Sequence, residues 1–513
     1  MKMDLGMGAA TPATKAQATK KRTGRATGGR SIAAREPRPQ KLAEKLAERI
    51  ISDIVERGWP VNANFGTEPE LLVRYGISRA TFREANRQLE RHGVARMRRG
   101  ANGGLFVCDP PRAAAERSML SFFEITGLSF ADQHETREQL ESLAAVLAAE
   151  RIDDSDREIL TKLRQRLPQS SSFGSAVEII MDIRMAVARA TKNPALVLFT
   201  EVLNGALLEM LRNIRVDEEA LRNSEFSAIE QKDRLISSIL NGNADEARRI
   251  VHLDAHQRLL AMTSAVARPR SASRPSEFAD NLPPWWENNL PSLKLNDQIV
   301  YRIVDDIAKF GWKEGHNLGR EVDLQKIYGV SRSVLREAIR QLELHGIARM
   351  KTGLQGGLIM SRIDPAYTVN LATIYLKASK ISMIHFWETQ SCLAEFAAGR
   401  LAQIADSADR EALNLALERV RQADATNYLD VANELQLEIS TRTGNRALSL
   451  FSLILARRFM ELCPPISGEA QPWLISKLEK IVNAICDRDS SRAKEDMAYL
   501  FRRTQTWFID NHS

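Results

Sequence analysis

Several features are scarce in this chain, and each absence excludes something. There are four cysteines in 513 residues, Cys108, Cys392, Cys463 and Cys486, scattered and without a C-x-x-C pair. That usage gives neither a disulfide framework nor a zinc site and fits a reducing, cytoplasmic setting. No run of 18 or more apolar residues occurs, so no membrane-spanning helix is expected. The basic N-terminus lacks the apolar stretch of a secretory signal. The sequence has no G-x-S-x-G elbow, phosphate-binding glycine loop, H-E-x-x-H or paired-acid arrangement, so an enzyme is not expected. Hydrophobic residues make up 44% and charged residues 27%, ordinary for a globular protein. The length allows three or four domains.

Charge is unevenly placed. The formal net charge is +7, and residues 1–40 hold nine Lys/Arg against two Asp/Glu. The rest of the chain is therefore near neutral. Residues 1–39, rich in Ala, Thr, Gly and Arg without an apolar period, read as a disordered basic arm. Such an arm is either a solubilising tail or a segment that touches DNA.

An internal repeat organises the remainder. YGISRATFREANRQLERHGVARMRRGANGGL (75–105) and YGVSRSVLREAIRQLELHGIARMKTGLQGGL (328–358) share 20 of 31 positions at a constant offset of 253. Further downstream, KNPAL at 192–196 matches GNRAL at 444–448 at an offset of 252. This is a tandem duplication. The expected division is arm 1–39, reader 40–110, sensor 112–265, Pro/Ser-rich linker 266–291, reader 292–365 and sensor 366–513.

In the first reader, Leu42, Leu46, Ile50 and Ile54 recur three and four apart and predict an amphipathic helix over 41–57. Thr67-Glu68-Pro69-Glu70 reads as a capping box opening a short helix through Tyr75. After the Gly76 turn, Ser78 caps a third helix to His92, and residues 94–107 fit two short strands. Helix, helix-turn-helix and hairpin make a winged helix-turn-helix. Its third helix carries Arg79, Arg83 and Arg87, and its wing carries Arg96, Arg98 and Arg99 beside glycines. A helix N-terminus offers free N–H groups to phosphate, and arginine reaches phosphates or guanine edges. Any one of these residues alone is more simply a solvated face. Their joint placement, twice in one chain, points to double-stranded DNA.

GISRATFREANRQLERHG and GVSRSVLREAIRQLELHG resemble the reader of the GntR family of bacterial regulators, G-V-S-R-x-x-V-R-E-A-L-x-x-L-E-x-x-G. The resemblance implies that Ser78, Arg79, Thr81 and Arg83 contact DNA, with Ser331, Arg332, Ser333 and Arg336 as counterparts; Arg98, Arg99 and Lys351 add wing contacts. Two departures stand out. Pro69 and Val322 replace an arginine the family often has on the second helix, and Asn86 replaces an apolar core residue.

Residues 115–262 have helical periodicity and few glycines, which predicts a helical bundle. Arg137, Leu140, Glu141 and Ala144 follow the R-x-x-L-E-x-x-A of the sensor in the FadR-like branch of that family; the second copy has the weaker Gln390, Leu393 and Ala394. The expected fold is therefore mostly α, with two winged helix-turn-helix domains and two all-helical sensors. Many members of the branch hold a divalent metal through one Asp and three His. Here the corresponding positions carry Ile180, Arg184, Lys232 and Asp254 in the first copy and Ala432, Gln436, Leu478 and Leu500 in the second. Lys and Arg have no usable lone pair for a metal, so no metal is expected. The i, i+4 pair His252 and His256 remains the alternative ligand set, or else a polar helix face. Arg137, Arg184 and Lys232 are expected to bind an anionic effector, an organic acid, directly.

The expected function is sequence-specific transcription regulation under a small-molecule effector. The two readers would act as a monomeric pseudo-dimer, or within a homodimer. The alternative is a ligand-binding or scaffolding protein whose DNA binding has degenerated.

Overall fold

A computed structural model describes residues 42–512, apart from 101, 168–172, 214–217, 267–294, 311–313, 345, 352, 354–355, 362–363, 425 and 463–470. The expected basic arm, nearly all of the expected linker and Thr352 lie outside the described residues. The described chain is mostly helical.

The first unit contains α1 (Leu42–Glu56), β1 (Asn64–Gly66), α2 (Glu68–Tyr75), α3 (Arg79–Arg91), β2 (Ala95–Arg98) and β3 (Gly104–Val107). Its caps follow the local chemistry. Thr67 and Glu70 form a reciprocal capping box at the start of α2, and Ser78 accepts a hydrogen bond from the Thr81 N–H at the start of α3. Gly76 ends α2 in the left-handed region at φ 62°, where a side chain is disfavoured. Ile50, Ile54, Leu71, Phe82 and Leu89 fill the core.

Strand β1 was not expected from the sequence. It pairs antiparallel with β3, giving the order β1-β3-β2. Three residues carry too little alternation to register as a strand. The wing turn depends on glycine at one tight place: a Cβ on Gly103 would lie 2.5 Å from the Arg98 carbonyl oxygen.

The second unit repeats the order with α11 (Leu295–Phe310), α12 (Glu321–Tyr328), α13 (Arg332–Leu344), β4 (Ala348–Lys351) and β5 (Gly357–Met360). Asn317 makes an isolated bridge to Ile359 where the first unit has β1.

The first helical part comprises α4 (Arg112–Thr126), α5 (Phe130–Arg151), α6 (Asp154–Arg166), α7 (Phe173–Ala190), α8 (Pro194–Asn213), α9 (Glu218–Leu240) and α10 (Ala244–Val266). The second comprises α14 (Ala366–Ala378), α15 (Met383–Ile404), α16 (Ser407–Gln422), α17 (Tyr428–Arg442), α18 (Arg446–Leu462), α19 (Gln471–Cys486) and α20 (Ser490–His512). In each, the long second helix (α5 or α15) packs against the bundle's later helices.

The two bundles share one apolar core. Phe199 stacks on Phe451, its counterpart at an offset of 252, with ring centres 4.0 Å apart. Asn193 Nδ2 donates to the His385 carbonyl (2.9 Å), Glu388 Oε2 (3.0 Å) and Thr389 Oγ1 (3.1 Å). In mirror fashion, Asn445 Nδ2 donates to the Asp132 carbonyl (3.0 Å) and Glu135 Oε2 (3.4 Å), and Thr136 Oγ1 donates to Asn445 Oδ1 (3.0 Å). Equivalent residues thus exchange equivalent contacts, as in an isologous dimer interface. The small units dock crosswise. Ile374 of α14 enters the core of the first unit, and Ile125 of α4 enters the core of the second.

Candidate nucleic-acid interface and effector site

The third helices of the two small units differ in how their arginines are held. On α3, Ser78 Oγ lies 2.9 Å from Thr81 Oγ1 as part of the cap. Arg79 and Arg83 are exposed and, among the described residues, form no ion pair. Arg87 lies on the same helix but is tied to Glu84 at 2.8 Å. On α13, Arg332 Nε sits 2.9 Å and Arg336 Nε 2.7 Å from Glu321 Oε1. Hydrogen bonds from Arg336 and Arg332 hold the Glu321 carboxyl below its ordinary pKa. Ser331 Oγ and Ser333 Oγ are 3.0 Å apart. Glu68 is the counterpart of Glu321, but Pro69 and the Thr67–Glu70 box shape the start of α2, whereas Arg320 precedes α12 without a side-chain cap bond. On the wings, Arg98 lies over the Phe106 ring at 4.2 Å, and Arg99 and Lys351 are exposed.

The first bundle brings Arg137, Arg184 and Lys232 together, all nearly fully buried. They are not an open anion seat. Arg184 Nε lies 2.8 Å from Glu141 Oε1, Lys232 Nζ 2.9 Å from Asp254 Oδ2, and Arg258 bridges Glu141 (3.2 Å) and Asp254. Arg137 is 4.0 Å from Glu141 and 3.5 Å from the Leu203 carbonyl. Burial would raise the pKa of Glu141, but Arg184, Arg258, Lys232 and Arg137 together pull it far below the carboxylate range. Burial pushes Arg137 and Lys232 the other way, below their ordinary values.

The void beside these groups is only about 10 Å³, room for one water at most. The organic acid expected on Arg137, Arg184 and Lys232 therefore meets a space already occupied by the protein's own carboxylates. Sequence spacing placed the cations correctly inside the bundle but did not reveal that Glu141, Asp254 and Arg258 converge on them. Nearby acids are engaged elsewhere: Asp182 with Arg166 and Asp233 with Arg164. His252 lies 2.8 Å from Glu138 and 3.4 Å from Ser142 Oγ, and His256 is exposed. Among the described residues no group of three or more His, Cys, Asp or Glu is placed to hold a metal.

The second bundle has the larger space. Helices α15, α17, α18, α19 and α20 enclose a cavity of about 340 Å³, walled by Phe386, Trp387, Phe459, Trp473 and Trp507 among others. The α9–α10 and α19–α20 turns align at an offset of 246, which sets the register of the two sites. The six charged residues of the first bundle become Gln390, Ala394, Gln436, Leu478, Leu500 and Thr504, and Ile180 becomes Ala432. Sequence reading noted the neutral residues but could not see that small side chains behind an aromatic rim leave room.

Two small units with exposed arginines on a capped third helix, mounted on helical bundles, define a DNA-binding transcription regulator. Comparison gives the family. Residues 132–257 and 387–503 each match the FCD domain, and residues 295–354 match the bacterial regulatory proteins of the gntR family. The chain is similar to the Uxu operon regulator of Haemophilus influenzae, 25% identical over 217 residues, covering 41% of this chain and 78% of that protein. It is also similar to the putative L-lactate dehydrogenase operon regulatory protein of Escherichia coli, 26% identical over 220 residues, 41% of this chain and 82% of that one. The transcriptional repressor NanR of Escherichia coli is 23% identical over 249 residues, 44% of this chain and 87% of that protein. A solved GntR structure from Streptococcus agalactiae matches at 22% identity and TM-score 0.32 over 43% of this chain and 99% of that one. The chain is a GntR-family transcription regulator with FCD domains. No helix of the described residues is long and apolar enough to cross a membrane.

Proposed function

We propose that one copy of this chain regulates transcription by presenting two recognition helices, α3 and α13, to one operator under the control of a small-molecule effector. The carrying observation is the exchange of equivalent contacts across the two bundles, Asn193 to Thr389 and Asn445 to Thr136. Relatives that match less than half of this chain over most of their own length support it. In this reading Ser78, Arg79, Thr81, Arg83, Arg98 and Arg99 meet one half-site, and Ser331, Arg332, Ser333, Arg336 and Lys351 meet the other.

The half-sites are unequal, because DNA must compete with Glu321 for Arg332 and Arg336, while among the described residues Arg79 and Arg83 carry no such partner. The operator is an imperfect palindrome, and the first reader, 40–110, makes the stronger contact. The closed charge cluster of the first bundle leaves the second as the effector seat. A gel shift on the DNA upstream of the protein's own gene, followed by footprinting, tests the reading. Protection of two unequal half-sites about one helical turn apart, roughly 34–36 Å, is expected. A strictly symmetric site with equal effects of matched mutations contradicts it.

A further inference from the structure

We infer that the cavity of the second bundle binds an uncharged, planar aromatic molecule carrying a hydroxyl or N–H donor. The inference rests on the regulator reading only for its biological meaning; the binding chemistry stands on the cavity alone.

The volume is the first observation. About 340 Å³ falls within the range of small-molecule pockets, about 300–1,000 Å³. The space has an identifiable origin. Ala432 stands where the first bundle has Ile180, and Thr504 stands where it has Arg258. The first bundle fills its centre with ion pairs, and the second leaves it open.

The walls supply the second observation. Phe386 stacks on Phe459 with ring centres 5.2 Å apart, and Trp387 meets Phe459 edge-on at 6.5 Å. With Trp473 and Trp507 these rings make much of the cavity wall aromatic, and aromatic side chains favour offset or edge-on packing with another ring.

Polarity supplies the third. Among the described lining residues the one ionisable cation is Arg503, which is exposed at the rim. An ionised group drawn into the interior would lose hydration with no opposite charge there to replace it. The interior does offer Gln390, only 3% exposed, whose Oε1 has no hydrogen-bond partner among the described residues. A buried amide oxygen left unpaired calls for a donor, and a ligand O–H or N–H provides it. Gln390 takes the position of Arg137, so the first bundle's charged anchor has become a neutral acceptor.

The test uses the full-length protein with three probes of one shape: 2-naphthol, naphthalene and 2-naphthoate, measured by titration calorimetry. One 2-naphthol per chain is expected, bound at least tenfold more tightly than 2-naphthoate. Gln390→Leu should erase most of the preference of 2-naphthol over naphthalene. Ala432→Phe, which fills the cavity, should weaken 2-naphthol at least tenfold while the far-ultraviolet circular dichroism stays unchanged. If that variant misfolds, Ala432→Ile makes the same test with a smaller plug. Tighter binding of 2-naphthoate that Arg503→Ala abolishes would overturn the inference in favour of an anion at the rim. Absence of binding by all three probes, or binding unaffected by either plug, would also overturn it. Gel shifts on the same samples keep the two readings apart: loss of DNA binding in the parent protein counts against the proposed function, whatever the calorimetry gives.

Discussion

Glu321 shows how one side chain can separate two small units built on the same repeat. It pairs with Arg332 and Arg336 on α13, both more than half exposed, while among the described residues the counterpart arginines on α3 form no ion pair. Arg79→Ala and Arg83→Ala are therefore expected to cost about 1–3 kcal/mol of operator affinity each if they read bases, and the Arg332 and Arg336 variants less. Glu321→Ala should tighten binding to the half-site of the second reader. Quantitative gel shifts check all of these, and equal losses in both copies would refute the asymmetry. The buried charges of the first bundle give a second residue-scale prediction. Removing one partner from a buried ion-pair network costs about 3–5 kcal/mol, so Glu141→Gln should be strongly destabilising at neutral pH by urea unfolding. The folded Glu141 pKa is depressed from 4.5, so its contribution is complete above that value and is lost as pH falls below it. The gap between parent and variant should shrink on acidification, and a constant gap would show that folding does not shift the Glu141 pKa. The arginines were legible in the sequence because recognition-helix spacing is local. Glu141, Asp254 and Arg258 were not, because their meeting depends on how α5, α7, α9 and α10 pack.

At the scale of elements, α18 links the cavity to the first reader. Phe459 lines the cavity, and two residues earlier Arg457 Nη2 reaches Glu48 Oε1 of α1 at 3.1 Å. That pair is half exposed and contributes little by itself. The firmer seat is Ile374 of α14 in the core of the first unit, with α14 packed on α18. The wall of the second bundle's cavity is thus connected through α18 and α14 to the first small unit. Ile374→Ala should leave 2-naphthol binding intact while reducing its effect on affinity for the first half-site; an unchanged effect would rule out this route. Helices α1, α2 and α3 and the hairpin were readable from apolar period, capping residues and glycines. Strand β1 was too short to read, and the crosswise docking has no sequence signature, since Ile125 and Ile374 look like ordinary apolar positions of their own helices.

For the whole molecule, the repeat in the sequence announced two equivalent halves, and their placement followed only from the fold. Phe199 against Phe451 and the reciprocal asparagine contacts close one half on the other within a single chain. What the repeat could not convey is that the halves have diverged in opposite senses: the first bundle closed by charge, the second hollow and aromatic. In the proposed reading, a chain that closes its own interface presents both small units without a second copy. The measurement that tests this most directly is the mass of the operator complex, by light scattering coupled to size exclusion, on a DNA fragment selected with the full-length protein. One chain of 57.5 kDa per fragment, with both Arg83→Ala and Arg336→Ala weakening that complex, is the predicted result. Two chains per operator, with DNA contacts confined to one reader of each, would contradict the account.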